Sequence, residues 1–346
     1  MRALAIITLR NEGSFLLEWL AHHRAVGFTD VLAFSNDCQD GTDLMLDRLA
    51  EMGWLTHIRN DRHGARGPQW SALRIANDHP LRHKADWILP FDIDEFVNIH
   101  LGDGTLAALL YALPEATAIP LTWRFFGNTG VIGITGAPVT ETFTRAAPAS
   151  LSWPWRASLF KTLFRNDGTY AALGVHRPRL PDAARLKQAR WFDGSGRPLP
   201  DAFRQNRIFS PPGQDNTRLA QLNHYALGSM QDYLLKCDRG RANREGTPYD
   251  AGYWIDRNFC DQEDRSILRM KPRLAPLLAE LESDSTLAAL RCNALRWRHN
   301  RVAQLLREES WRSLYGRLLM MQPSRVLTPE QARTIWEHDD SPDGSA

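Results

Sequence analysis

Apolar runs alternating with helix-spaced stretches constrain the first hundred residues more than any other feature of this chain. Ala3–Leu9 is an apolar run of strand length, and Phe15, Leu16, Trp19, Leu20 and Ala21 follow it at helical spacing, with Asn11 or Ser14 available as the cap. Val31–Phe34 reads as a second strand and Asp43–Met52 as a helix with Leu44, Met45 and Leu49 on one stripe. Trp54–Ile58 is a third strand, Gln69–Asp78 a third helix and Asp86–Phe91 a fourth strand. Strands buried on both faces read as continuous apolar runs, as these do, so the rhythm predicts an α/β fold with a parallel sheet and right-handed crossovers.

Beyond Asp94 the pattern loosens. Thr105–Leu113 reads as a short helix, and Ala118–Trp123 and Ser158–Phe164 as strands flanking the Gly-rich stretch 127–136. Residues 178–212 read as loops with a hairpin at Asp193-Gly194-Ser195-Gly196, and Ser229–Cys237 as a helix. From about Gln262 to Met321 the periodicity is helical. Between Arg265 and Arg325 there are 12 Lys or Arg against 5 Asp or Glu, a local basic face that suits solvent, an anionic membrane surface or an anionic polymer. Thr328-Pro329-Glu330 resembles a helix start. The expected division is a catalytic domain over 1–241, a mostly helical region over 242–336 and a disordered tail over 337–346.

Composition removes several function classes. The chain has 346 residues, 42 Lys or Arg and 40 Asp or Glu. A formal charge of +2 excludes a strongly basic nucleic-acid binder and an acidic disordered chain. There is no apolar run near the ~18 residues of a membrane span. The apolar start ends at Leu9 and runs into Arg10-Asn11-Glu12, which suits a strand better than a leader. Four widely separated cysteines form no C-x-x-C pair, so a reducing cytoplasm is expected, with peripheral contact at the inner face of a membrane as a further expectation.

Chemistry concentrates in Trp87-Ile88-Leu89-Pro90-Phe91-Asp92-Ile93-Asp94-Glu95-Phe96, where an apolar strand runs into three carboxylates. In extended chain Asp92 and Asp94 would share a face, and two close carboxylates call for a compensating cation. A hard divalent ion held by carboxylates and substrate phosphates is the natural partner. The cluster follows a strand's carboxyl end, where open α/β sheets bind ligands. The first two strands deliver Arg10-Asn11-Glu12 and Asn36-Asp37 to the same rim; Asp40-Gly41-Thr42 is also ordinary turn chemistry.

Together with Leu17-Glu18-Trp19, Gln69–Asn77, Trp123-Arg124-Phe125-Phe126-Gly127, Gly174-Val175-His176, and His224-Tyr225 followed by Lys236, Arg239 and Gly240, these segments span residues 3 to about 241. In that order they resemble the family 2-type glycosyltransferases of the GT-A fold, nearest the bacterial family 2-like branch with a D-x-D motif. The resemblance implies a Rossmann-like mixed sheet flanked by helices, with the C-terminal helical region outside it. It implies a nucleotide-diphosphate sugar donor, a glycan or other hydroxyl acceptor of the kind found in cell-surface polysaccharide, and Mn2+ or Mg2+ as cofactor. Asp94 would ligate the metal directly, Asp92 would reach the metal or the ribose, and His224 would be a third ligand. Arg10, Asn11, Glu12, Asn36, Asp37 and Gln69 would surround the nucleotide, and Lys236, Arg239 and Arg241 would close over its phosphates. Many relatives carry an extra acid before the residue matching Asn36; this chain has Ser35 there. Inverting transfer needs a general base, for which Glu95 and Glu141 are the two candidates. His176 is a candidate acceptor or metal contact, and Trp123, Trp153 and Trp155 are candidate sugar platforms. Two other classes compete: a sugar nucleotidyltransferase, against which the lack of a Gly-rich basic loop after the first strand argues, and a non-catalytic carbohydrate-binding protein with a degenerate site.

Overall fold

The computed structural model describes residues 1–64, 66–240 and 249–337. Eight strands form one mixed sheet: Ala3–Leu9 (β1), Asp30–Ser35 (β2), Thr56–Arg59 (β3), Trp87–Pro90 (β4), Glu95–Ile99 (β5), Ala118–Phe125 (β6), Phe160–Arg165 (β7) and Ala220–His224 (β8). Their order across the sheet is β3-β2-β1-β4-β7-β6-β8-β5. The first four are parallel, as the strand–helix rhythm predicts. β7 is antiparallel to both β4 and β6, β8 is parallel to β6, and β5 is antiparallel to β8. Six strands therefore point one way, and β5 and β7 point the other. The mixed α/β sheet with flanking helices is the GT-A-like arrangement expected.

The burial of β1 shows why it reads as solidly apolar. Ala3, Ala5, Ile7 and Leu9 pack into the core beneath helices Gly13–Val26 (α1) and Thr42–Glu51 (α2), while Leu4 and Ile6 pack on the opposite face with helix Pro68–Asp78 (α3). The stripe of α2 differs from the expected one: Met45, Leu46 and Leu49 are buried, and Leu44 faces solvent. Asn11 and Ser14 do not cap α1. Glu12 takes the cap position with no side-chain bond to the helix, and Asn11 adopts a left-handed conformation, φ 58°, just outside it.

The C-terminal helices share the core of the sheet. Helix Met230–Arg239 (α4) follows β8, and helices Lys271–Ser283 (α5) and Ser285–Leu305 (α6) pack on α1. Leu281 and Leu287 enter the same apolar cluster as Leu16 and Leu20. A second cluster joins Tyr233, Leu234 and Leu235 of α4 to Trp254, Val302, Leu305 and Leu318. Gly13 lets these layers approach: a Cβ there would stand 3.0 Å from the Met45 sulfur and 3.1 Å from Ala294 Cβ. Among the described residues no helix is long and apolar enough to cross a membrane. The expected disordered tail lies, but for Glu337, outside the described residues.

Candidate active site

Strand direction assembles the site. The six codirectional strands end at one rim, carrying Asn11 and Glu12 after β1, Asn36 and Asp37 after β2, Asp92 and Asp94 after β4, and His224 at the end of β8. The two reversed strands begin at that rim, so β5 supplies Glu95 as its first residue and β7 supplies Lys161 as its second. The resulting cleft has a volume of about 660 Å³. Arg10, Glu12, Asn36, Asp37, Gln69, Asp92, Asp94, His176, His224, Lys236 and Arg239 all line it. Asn11 lies just beneath, in a smaller crevice that shares Glu12, Asp94, Lys236 and Arg239.

The first two loops are tied together by their own polar groups. Asn11 Oδ1 accepts the Gln39 N–H at 2.7 Å. Asp40 accepts from the Gly13 N–H and from both the amide and hydroxyl of Thr42, whose Oγ1 in turn accepts the Glu12 N–H at 2.9 Å. Asp40-Gly41-Thr42 is thus a scaffold for the rim. Asp37 is also left-handed, φ 47°, with its amide donating to Asp61 and its carboxylate 3.5 Å from His63 Nε2.

The acidic segment is a turn, not the extended chain expected. The Glu95 N–H donates back to Asp92 O at 3.1 Å, and the Tyr225 N–H donates to Asp94 O at 2.8 Å. The turn sends the two aspartates to different partners. Asp92 accepts from Gln69 Nε2 and from Lys161 Nζ, each at 2.9 Å. Asp94 Oδ2 accepts from Lys236 Nζ at 2.7 Å and lies 3.7 Å from His224 Nε2. Burial opposes ionisation of Asp94, but the Lys236 ammonium and His224 outweigh it and hold the carboxyl far below its usual range. Burial likewise works against the Lys236 charge, and Asp94 more than offsets it, so that ammonium stays protonated well above the ordinary lysine range.

Glu95 is completely buried. Its carboxylate accepts the Trp123 indole N–H at 2.7 Å and the Asp92 N–H at 2.8 Å, and it lies 3.9 Å from Lys161 Nζ. Burial, and then the Asp92 and Asp94 charges against the pull of Lys161, raise its pKa well above the ordinary carboxyl value. Glu95 is therefore the buried brace of the acidic turn, and no surface of it faces the cleft. Glu141 is elsewhere: it sits at the surface, paired with Lys271 at 3.0 Å. Neither expected general base lines the cleft.

His176 Nδ1 donates to Phe160 O at 2.9 Å, so Nδ1 carries the proton and Nε2 of the neutral ring keeps its lone pair. Burial pushes this imidazole down to about 4. Trp123 rests on His224, with centroids 4.4 Å apart, and lines the cleft, whereas Trp155 packs edge-on against Phe209. Arg239 pairs with Glu12 and donates to Arg10 O, closing the cleft between α4 and the first loop. Arg241 lies outside the described residues.

The ligand set expected for Mn2+ or Mg2+ does not come together. Among the described residues no three His, Cys, Asp or Glu side chains converge. Both Asp92 oxygens are engaged, and the Asp94 oxygen facing His224 already carries an ammonium. A divalent ion about 4 Å from that ammonium would be repelled by about 8 kcal/mol at an effective dielectric of ~20. As arranged, these donors do not fit a divalent ion.

Sequence reasoning missed Lys161, Arg66, Arg156, Arg257, Tyr249 and Tyr253, all of which line the cleft. The available signal was a lysine inside the otherwise apolar run Phe160–Phe164.

No protein-family model matches the chain, and no curated protein matches it. Among solved structures, S. aureus TarS aligns with 82% of this chain and 44% of its own, at 14% identity and a TM-score of 0.33. This chain therefore spans less than half the length of that protein. The structure of S. aureus TarS 1-349 in complex with UDP aligns with 82% of this chain and 73% of its own, at 14% identity and a TM-score of 0.35. A putative glucose-1-phosphate thymidylyltransferase from Bacillus anthracis aligns with 47% of this chain and 72% of its own, at 12% identity and a TM-score of 0.27.

Proposed function

We propose that this chain is a family 2-type glycosyltransferase that moves a sugar from a nucleoside-diphosphate sugar to a hydroxyl acceptor with inversion. The observation that carries the proposal is the rim itself. Loops from β1, β2 and β4 and the ends of β8 and α4 meet in one cleft at the carboxyl edge of the sheet. Its volume of about 660 Å³ suits a nucleotide sugar. Among the described residues seven Arg or Lys line it against four Asp or Glu, so it favours an anion while keeping acids for ribose and sugar hydroxyls.

Glycosyl transfer needs a departing diphosphate to be stabilised. Cations already fixed in a partly buried cleft do this without reorganising during the reaction. Lys236 and Arg239, on successive turns of α4, are the groups we assign to that role. Glu12, Asn36 and Asp37 would meet the nucleoside, and Gln69 would hold Asp92 toward it. Trp123 offers an apolar face beside His224, and His176 offers a neutral acceptor atom at Nε2 for the incoming hydroxyl.

The test is a screen of UDP-, GDP- and dTDP-sugars with a panel of simple glycosides, reading nucleoside diphosphate released and glycoside product formed. Acceptor-dependent release that disappears in Asp92→Ala, with the fold intact by circular dichroism, supports the proposal. Pyrophosphate release from a nucleoside triphosphate and a sugar 1-phosphate would replace it with nucleotidyl transfer. Glycan binding without turnover of any nucleotide sugar would leave only a binding protein.

A further inference from the structure

Lys236 is held from several sides. Its ammonium donates to Asp94 Oδ2 and to Ala226 O, each at 2.7 Å, and lies 5.6 Å and 5.5 Å from the ring centres of Tyr249 and Tyr253. An ammonium has three N–H donors, so one remains for a ligand in the cleft that Lys236 lines. The oxygen it holds is the one that also faces His224, so a bridging metal there would stand beside the ammonium. Lys161 stands against Asp92 in the same way, 1% exposed, at 2.9 Å. Each aspartate of the D-x-D pair is thus already matched by a lysine. Among the described residues the cleft carries three more basic than acidic side chains before any ion enters it. A nucleoside diphosphate therefore meets a positive surface without help from a metal.

We infer that Lys236 takes the place of a donor-bridging divalent cation, so that the diphosphate is held by the chain's own cations and nucleotide binding requires no metal ion. The inference rests on the glycosyltransferase reading above, but the two fail in different ways.

The experiment measures binding of UDP, GDP, dTDP and inorganic pyrophosphate by calorimetry, in EDTA and in millimolar Mn2+, with Mn2+ occupancy followed separately by electron paramagnetic resonance. Wild-type affinity is expected to agree within about twofold between the two conditions, with no tight Mn2+ signal with or without nucleotide. Lys236→Met, which keeps the stem between the tyrosines, is expected to lose at least about tenfold in EDTA, the worth of one charge-assisted hydrogen bond. With Asp94 and His224 released, that variant is expected to regain affinity in Mn2+, and Lys236→Arg to stay metal-independent. Wild-type binding that collapses in EDTA and returns with Mn2+ would overturn the inference and leave the glycosyltransferase standing. Unchanged affinity of folded Lys236→Met in EDTA would also overturn it. If Lys236→Met does not fold, the wild-type comparison decides alone. If none of the four probes binds in either condition, both proposals fall.

Discussion

Replacing Lys161 by Met tests the electrostatic argument without relying on any ligand. The side chain is 1% exposed, and methionine matches its stem, so packing changes little. What is lost is the ammonium that compensates Glu95, which is fully buried, and a partner of Asp92. Breaking a buried ion pair from one side costs about 3–5 kcal/mol. Asp92 recovers some hydration because its side chain is 37% exposed, so we take the lower end, about 3 kcal/mol. With an unfolding entropy of about 2.1 cal/mol/K per residue, 346 residues give about 0.7 kcal/mol/K, so the melting temperature should fall by about 4 °C.

The pH dependence has a definite sign. Burial lowers the Lys161 pKa, but Asp92 and Glu95 outweigh it, so its folded value stands above the ordinary 10.5. Its stabilisation is fully present below that ordinary value and is lost only as pH rises through the raised one. Wild type therefore keeps it throughout pH 5–8. In Lys161→Met the already raised Glu95 pKa rises further, so folding must either hold a proton there or bury an uncompensated charge. Wild type shares that cost up to its own raised Glu95 value, so the difference between the two proteins widens only once pH passes that value. Differential scanning fluorimetry across pH 5 to 9 should show a deficit that widens toward the alkaline end, and adding Glu95→Gln should remove the widening. A deficit below 1 °C, or one that is flat across that range, would refute the reasoning.

Trp123→Phe removes the indole donor to Glu95 and should cost about 1–3 kcal/mol in urea unfolding. Asn11→Ala loses both the acceptor for the Gln39 amide and a residue tolerant of positive φ, and should weaken UDP binding several-fold while lowering stability by about 1–2 kcal/mol. Glu18→Ala strips the buried carboxylate that accepts from the Val139 and Thr140 amides and the Thr140 hydroxyl, and should destabilise the chain by about 3 kcal/mol, measured by the same unfolding curves. Because the cleft is net basic, the affinity for UDP should fall steadily between 50 and 500 mM NaCl, whereas a salt-insensitive isotherm would show that charge does not hold the ligand.

β1, β2 and β4 were legible because both of their faces are buried, which writes them as apolar runs; β3, at the edge, is only half-buried. β8 and β5 were not legible, because buried polar residues interrupt their apolar ones. Gln221, Asn223 and Asn98 are each 1% exposed or less and bond to one another, to the Tyr225 hydroxyl, to Ser266 and to Asp264. A period-2 pattern of amide side chains reads as loop in sequence, since burial of polar groups is signalled only by partners that are distant in the chain. The D-x-D pair stood out because three carboxylates after an apolar strand are rare enough to notice. Its partners did not: Glu141 fits the acidic pattern but pairs with Lys271 at the surface, while Arg257 and Tyr253 come from a segment with no motif at all.

Lys161 marks where local reading stops. In a purely parallel sheet, functional side chains at the carboxyl rim come from the loops that leave the strands, so a search of strand ends finds them. Here β7 is inserted antiparallel between β4 and β6, and β5 closes the far edge in the same reversed sense. Their first residues therefore reach the rim that the other six strands reach with their last. That reversal brings a lysine and a glutamate from inside strands against Asp92, 69 and 3 residues away along the chain. Strand direction is fixed by the pairing of the whole sheet, not by the residues within one strand. The acids of this site and the Lys236 that faces Asp94 were thus visible from sequence, and the lysine that neutralises Asp92 became visible only with the topology.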